Sequence, residues 1–468
     1  MLVKRSGSHN LIRWLFAKPA RMIVTSFLML DLIGTILLSL PFATLSGQSI
    51  GVLKALFTTV SCTCVTGLVV VDTATTFSPF GKIVILILIQ LGGLSLITIT
   101  SIFLNFARRR VGLRARLLAQ ESSGSFSFLE LPALLRSIIL TTFMFEFVGF
   151  VLLSTQFVPL YGLKQGFGKA GFMAVSAFCN AGFDLMGNTA AGPFSSLTVF
   201  NGNPVVMFTI GFLIIFGGLG FIVWHDLFNF YKTRKLRLQS KIAIIMTSSL
   251  IIFGMLFFLA VEWNNPGELA LGGLPNWQKP IAAFFQSVTM RTAGFNSINM
   301  STLYDGTKLI SVILMFIGAG SGSTGGGIKV STFMLLVYAV LAEIRGRGEV
   351  IVLNNKIAKS AVSRAISIFI LGLLVMVGLS LILTFTEAAA LNNGTFEYLD
   401  LLFESASAFG TVGVSSAQTT TLTSLSHVFI IPAMFIGRVG PIAFAITLAI
   451  REPKLTTNVY PESKIQLG

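Results

Sequence analysis

The chain has 468 residues, of which 54% are strongly apolar and 11% charged, with 45 glycines and a formal net charge of +15. A soluble domain coats itself with about 25% charged residues, so this composition, with a mean hydropathy of +0.84, excludes nucleic-acid binders, disordered tails and secreted disulfide scaffolds. What remains is a polytopic helical membrane protein, because apolar stretches long enough to cross a bilayer recur and must satisfy their backbone groups internally.

In chain order the candidate spans are Met22 to Leu40, Ile83 to Phe106, Ser137 to Phe157, Val205 to Val223, Ile242 to Val261, Leu309 to Tyr338, Ala365 to Phe385 and Val428 to Ile450. The first follows a basic head and lacks the small-residue cleavage pattern of a removable signal peptide, so it is expected to remain as a helix. With the N-terminus inside, the inner segments hold five basic residues from Lys4 to Arg21, six from Arg108 to Arg136, five from Lys232 to Lys241, five from Arg345 to Arg364 and three from Arg451 onward. That places 24 of the 33 Lys and Arg inside, and the positive-inside rule predicts cytoplasmic N- and C-termini. Cys62, Cys64 and Cys179 are too few and odd in number for a disulfide framework.

Between the spans lie four short stretches that look alike: Cys64-Val65-Thr66-Gly67-Leu68, Cys179-Asn180-Ala181-Gly182-Phe183, Arg291-Thr292-Ala293-Gly294-Phe295 and Gly410-Thr411-Val412-Gly413-Val414. Their last glycines stand 115, 112 and 119 residues apart. Each follows a segment too short to cross a bilayer, which suits a half-helix: Leu53 to Thr63, Lys169 to Phe178, Pro280 to Met290 and Glu397 to Phe409. The unit is therefore helix, half-helix, loop, helix, and four of them divide the chain at 1–117, 118–239, 240–355 and 356–468. The expected fold is all-α, with eight spanning helices around a pseudo-fourfold ion pore.

Non-helical backbone at membrane depth is tolerated where it is buried in protein or lines a water-filled path. One such pentapeptide alone reads as a packing glycine; four in register read as a pore. Rings of backbone carbonyls can replace the water shell of a monovalent cation, and half-helix C-termini add partial negative charge. The predicted filter residues are Val65, Thr66 and Gly67, Asn180, Ala181 and Gly182, Thr292, Ala293 and Gly294, and Thr411, Val412 and Gly413.

Each second helix carries a glycine cluster: Gly92-Gly93, Gly217-Gly218, the run from Gly318, and Gly437 to Gly440. Close helix packing explains the first two. The third has glycine at 318, 320, 322, 325, 326 and 327, and at about 1 kcal/mol per glycine a continuous helix is not expected there. Gly320 to Gly325 formally fits a dinucleotide fingerprint, but its place inside an apolar span argues against nucleotide binding. Arg438 lies deep in the last span, where an arginine faces a cavity or a partner. Lys329 could mark where the broken helix meets the cytoplasmic side. Asp72 and Asp184 follow their filter glycines by five and two positions, which predicts an outer mouth that concentrates cations, with a solvated rim as the alternative. Arg291 is expected to turn behind the filter into a salt bridge with Glu262 or Glu404.

The four glycine-bearing loops, the stretch Ser287-Val288-Thr289-Met290-Arg291-Thr292-Ala293-Gly294-Phe295-Asn296 and the run from Gly318 make the chain resemble the Trk, Ktr and HKT superfamily of potassium transporters, and within it the bacterial Ktr membrane subunit (KtrB). The resemblance implies K⁺ uptake across the bacterial cytoplasmic membrane, with K⁺ preferred over Na⁺ because every unit keeps its filter glycine. It implies that residues 318–328 form an intramembrane gate loop under the filter, built from Gly318, Gly320, Gly322, Ser323, Thr324, Gly325, Gly326 and Gly327, with Lys329 beside it and Arg438 as an electrostatic barrier. It also implies a homodimer, a cytosolic KtrA-like ring of RCK type that binds adenine nucleotides, and Na⁺ dependence, although nothing in these residues marks a Na⁺ site. No cofactor or nucleic-acid partner is expected for this chain.

Catalysis has little to stand on. His9, His225 and His427 are far apart, and no Cys or acidic cluster has metal-ligand spacing. The rival reading is an alternating-access, cation-coupled secondary transporter, which would also contain repeats and broken helices. A membrane scaffold would not need four filter-like loops.

Overall fold

The computed structural model describes residues 19–110, 131–189 and 192–448. The N-terminal basic head, the segment 111–130 and the C-terminal tail, on which much of the orientation count depends, lie outside the described residues. The chain begins with α1 (Pro19–Ser39), α2 (Val52–Thr63) and α3 (Pro79–Arg110). Next come α4 (Leu131–Phe178), α5 (Pro204–Leu219) and α6 (Phe221–Thr233). They are followed by α7 (Leu238–Glu262), α8 (Lys279–Thr289), α9 (Asp305–Phe316) and α10 (Val330–Ile344). A small hairpin, Ile351–Val352 against Asn355–Lys356, leads to α11 (Lys359–Thr386), α12 (Tyr398–Gly410), α13 (Ser424–Val439) and α14 (Pro441–Leu448).

Among the described residues, four of the eight stretches expected to span lie in helices long and apolar enough to cross a membrane, α1, α4, α7 and α11. Their outward faces carry exposed Leu32, Phe147, Leu256 and Leu374, a surface that water would not tolerate and lipid does. Ile83 to Phe106 lies within the continuous helix α3, and the remaining three stretches differ from a straight span. Leu309 to Tyr338 is interrupted between α9 and α10, where the glycine run predicts it. Val205 to Val223 bends by 93° between α5 and α6, and Val428 to Ile450 breaks between α13 and α14, neither of which hydropathy anticipates. Both breaks fall on glycines in left-handed backbone, Gly220 at φ 100° and Gly440 at φ 95°, a conformation that side chains with a Cβ avoid.

The predicted half-helices correspond to α2, α8 and α12 to within a residue at each end. The fourth is the last part of α4, which runs on from its outer helix and is broken earlier than expected, at Gly162 (φ 77°, ψ 170°). Each short helix is wedged among longer ones: α2 packs on α1 and α3, the end of α4 on α5, α8 on α7 and α5, and α12 on α9, α11 and α13. Phe57, Phe178, Phe285 and Phe409 are fully buried at these contacts. Small residues permit the closest approaches. A Cβ added to Gly92, Gly217 or Gly437 would strike the carbonyl oxygen of Thr63, Phe178 or Phe409, at the C-terminal ends of α2, α4 and α12.

Candidate functional site

The four short helices all end in the same backbone figure. Two positions before each loop glycine the chain enters left-handed backbone, at Val65 (φ 49°), Asn180 (φ 58°), Thr292 (φ 71°) and Thr411 (φ 50°), and the glycines Gly67, Gly182, Gly294 and Gly413 have φ of 89°, 69°, 89° and 96°. Left-handed valine and threonine are rare because a β-branched side chain crowds its own backbone, so four repetitions require surroundings that hold them there.

Hydrogen bonds supply that hold. The amide after each left-handed residue turns back onto its helix: Thr66 N to Ser61 O at 2.7 Å, Ala181 N to Ser176 O at 2.8 Å, Val412 N to Ser407 O at 2.9 Å and Ala293 N to Thr289 O at 3.1 Å. Hydroxyls in the last helical turns brace the loops from behind. Ser61, Ser176 and Thr289 donate to the carbonyls of Leu68, Phe183 and Phe295 at 2.6–2.7 Å. Ser61 and Ser407 accept from the amides of Gly67 and Gly413.

The four glycines meet in a closed ring. A Cβ built on Gly67 would lie 2.6 Å from Ala181 O, one on Gly182 2.7 Å from Gly294 Cα, one on Gly294 2.8 Å from Val412 O, and one on Gly413 2.9 Å from Gly67 Cα. Segments more than a hundred residues apart in sequence thus face one another with no room for a side chain. On one side the ring opens into a cavity of about 330 Å³, lined by the four glycines and by Asp72 and Asp184, with no lysine or arginine among its lining residues. Asp72 also caps the turn Thr73–Thr76, accepting from Thr75 N at 2.8 Å, and Asp184 accepts from Met186 N at 2.8 Å. Both carboxylates therefore shape the loops that carry them as well as facing the cavity.

On the other side the loop from Ile317 to Lys329 presses up against the ring. Its two ends are zipped by a parallel bridge between Ile317 and Ile328. Its middle is pinned to the second unit by Gly320 N to Gly218 O at 2.8 Å, Thr324 N to Gly217 O at 3.2 Å and Thr324 Oγ1 to Phe178 O at 3.1 Å. Gly325 and Gly326 lie directly beneath the hydroxyls of Thr292 and Thr411, which a Cβ on either glycine would strike. Gly322 and Gly327 use left-handed backbone, at φ 71° and 66°, and Ser323 is buried with its hydroxyl unpartnered among the described residues. Arg438 donates to Thr324 O and, from the opposite arm, to Gly92 O at 2.6 Å, while Lys329 Nζ donates to Gly325 O at 2.6 Å. Around this contact Thr66 Oγ1, Asn180 Oδ1 and Thr411 Oγ1 are buried without a hydrogen-bond partner among the described residues.

Comparison with known proteins decides what kind of molecule carries this ring. Residues 6–458 match the TrkH family, a family of cation transport proteins. The chain belongs to the TrkH family. It is 36% identical to the Ktr system potassium uptake protein B of Bacillus subtilis (98% of this chain, 99% of that one) and 37% identical to the Vibrio alginolyticus protein of the same name (96% and 94%). It is also 35% identical to the potassium/sodium uptake protein NtpJ of Enterococcus hirae (96% and 97%). The crystal structure of the potassium transporter TrkH from Vibrio parahaemolyticus shares the fold, with a TM-score of 0.67 over 91% of this chain and 85% of that one at 17% identity. This TrkH-family chain is a multi-pass membrane cation transporter and not an enzyme.

The expected ion pair of Arg291 is not formed. Its guanidinium is buried and donates instead to two carbonyls, Thr247 O at 3.5 Å and Gly318 O at 3.3 Å. Both expected partners are engaged elsewhere: Glu262 accepts from Asn265 Nδ2 and Tyr304 N, and Glu404 from the hydroxyls of Ser415 and Thr419. The bracing hydroxyls of Ser61, Ser176, Thr289 and Ser407 escaped the sequence reading. A hydroxyl six places before the glycine in three loops, and five before it in the fourth, was the signal that could have found them.

Proposed function

We propose that this TrkH-family chain takes up K⁺ across the bacterial cytoplasmic membrane through a channel-like pore built from four units, 1–117, 118–239, 240–355 and 356–468. The observation that carries this reading is the closed ring of Gly67, Gly182, Gly294 and Gly413, each preceded by the same left-handed residue. Residues 65–67, 180–182, 292–294 and 411–413 are the selectivity filter, whose carbonyls take the place of water around the ion. Asp72 and Asp184 attract cations to the outer mouth. The loop 318–328 is the gate, with Arg438 and Lys329 adding positive charge on its inner side. The relatives named as potassium and potassium/sodium uptake proteins support K⁺ as the transported ion, with Na⁺ as an activator or second substrate.

The name of a Ktr system protein B implies a partner component. In our reading the membrane subunit is a homodimer, with both termini cytoplasmic, regulated by a cytosolic RCK-type ring that binds adenine nucleotides. The test is ⁸⁶Rb⁺ and K⁺ flux into liposomes containing the purified protein, under an imposed K⁺ gradient with Na⁺ as competitor. Cation-selective flux down its own gradient supports the pore. The 93° bend between α5 and α6 also suits alternating access, and flux that requires a second ion gradient would favour that reading instead.

A further inference from the structure

Three cations act on the loop 318–328, Arg291 and Arg438 buried and Lys329 partly buried, and none of the three forms an ion pair among the described residues. Each donates to a loop carbonyl: Arg438 to Thr324 O, Lys329 to Gly325 O and Gly326 O, and Arg291 to Gly318 O. Arg438 comes from α13 and Lys329 from the end of the loop itself. Arg291 alone belongs to a segment of the glycine ring, one residue before the left-handed Thr292. Its surroundings are apolar, with Ile214, Ile251 and Val288 beside it, so its charge is balanced by carbonyl dipoles. Those at the C-terminus of α9 are well placed to do so, since a helix C-terminus carries partial negative charge.

The acceptor is placed where it matters mechanically. Gly318 is the first loop residue after the Ile317–Ile328 bridge, and its amide donates to the carbonyl of Ile328 at 2.9 Å. Anything that holds Gly318 holds both ends of the loop. The other arm of the guanidinium reaches Thr247 O on α7 at 3.5 Å, so one side chain ties the third ring segment, a spanning helix and the loop entrance together. A guanidinium can reach two elements at fixed spacing; an ammonium offers a single point.

We infer that Arg291 is a positioning residue that fastens the entrance of the gate loop to the third filter segment, so that loop opening requires this tether to break and movement of the filter is felt by the gate. The inference rests on the pore reading above. Loss of one charge-assisted hydrogen bond that favours the closed loop shifts its equilibrium by about tenfold.

The experiment is ⁸⁶Rb⁺ flux into liposomes by the full-length protein without any partner, for wild type, R291Q, R291K and the deletion of Gly320 to Gly326. R291Q is expected to raise basal flux about tenfold toward that of the deletion, with K⁺/Na⁺ discrimination kept, and R291K to return part of the way. R291Q flux equal to wild type while the deletion leaks overturns the tether and leaves the pore reading standing. Increased flux with lost K⁺/Na⁺ discrimination and no recovery in R291K also overturns it, since that is collapse of the filter. Absence of cation flux from both the deletion and wild type overturns the pore reading and the tether with it. If R291Q does not fold, amide hydrogen exchange over 316–328 is compared between R291K and wild type: faster exchange in R291K supports the tether, and equal exchange overturns it.

Discussion

Val65, Asn180, Thr292 and Thr411 are each held in a backbone region that costs about 1–3 kcal/mol per residue to occupy. The repetition at one position in four loops makes that strain part of the construction of the proposed pore. At Gly67 the strain would be worse for any other residue, because a Cβ at φ 89° would also press on Ala181 O across the ring. Gly67→Ser is therefore expected to widen the ring and relax selectivity toward Na⁺; a K⁺/Na⁺ flux ratio equal to wild type would contradict this. Ser61 both donates to Leu68 O and accepts from Gly67 N. Ser61→Ala should cost about 1–3 kcal/mol, seen as a lowered thermal-unfolding midpoint in detergent together with a reduced K⁺/Na⁺ ratio. The glycines were legible in the sequence as a repeat. The left-handed residue two places before each was not, since Val, Asn and Thr share no side-chain property that demands it.

At the scale of elements, three of the four short helices could be read to within a residue because they are bounded by polar segments and are too short to span, while the one ending at Phe178 starts earlier, after Gly162. The breaks at Gly220 and Gly440 could not, since in an apolar span both sides of a break look equally suited to lipid. What breaks these helices is their destination: α5 stops where Gly217 meets the end of α4, and α13 where Gly437 meets the end of α12. A paired substitution tests this. Gly437→Ala puts a methyl into Phe409 O and is expected to abolish monodisperse protein on size exclusion. Gly378→Ala, with nothing within 4 Å in α11, should leave folding unchanged or stabilise it by up to about 1 kcal/mol. The loop between α9 and α10 is the one break that composition announced. Removing Gly320 to Gly326 is expected to raise cation flux in the absence of any partner, and unaltered basal flux in liposomes would contradict the proposed role of the loop as the gate.

Across the whole molecule, the charge on the two sides of the ring is divided. Asp72 and Asp184 line the cavity that the proposed pore places at its outer mouth, while Arg291, Lys329 and Arg438 lie on the other side of the ring. Asp184→Asn should therefore lower uptake several-fold at low ionic strength and much less at high salt, where charges farther apart than about 10 Å are screened; initial ⁸⁶Rb⁺ uptake at two salt concentrations reads this out. The sequence by itself determined the membrane class, the fourfold recurrence of the glycine loops and the short helices, because composition, spacing and length are properties of a local stretch. Only the tertiary structure decided that the four glycines close into one ring, that hydroxyls brace them from behind, and that Arg291 binds the entrance of the loop rather than Glu262 or Glu404. These outcomes depend on which of many equally apolar segments come within a few ångströms of each other, and in a bilayer that choice is made by close packing and backbone hydrogen bonding.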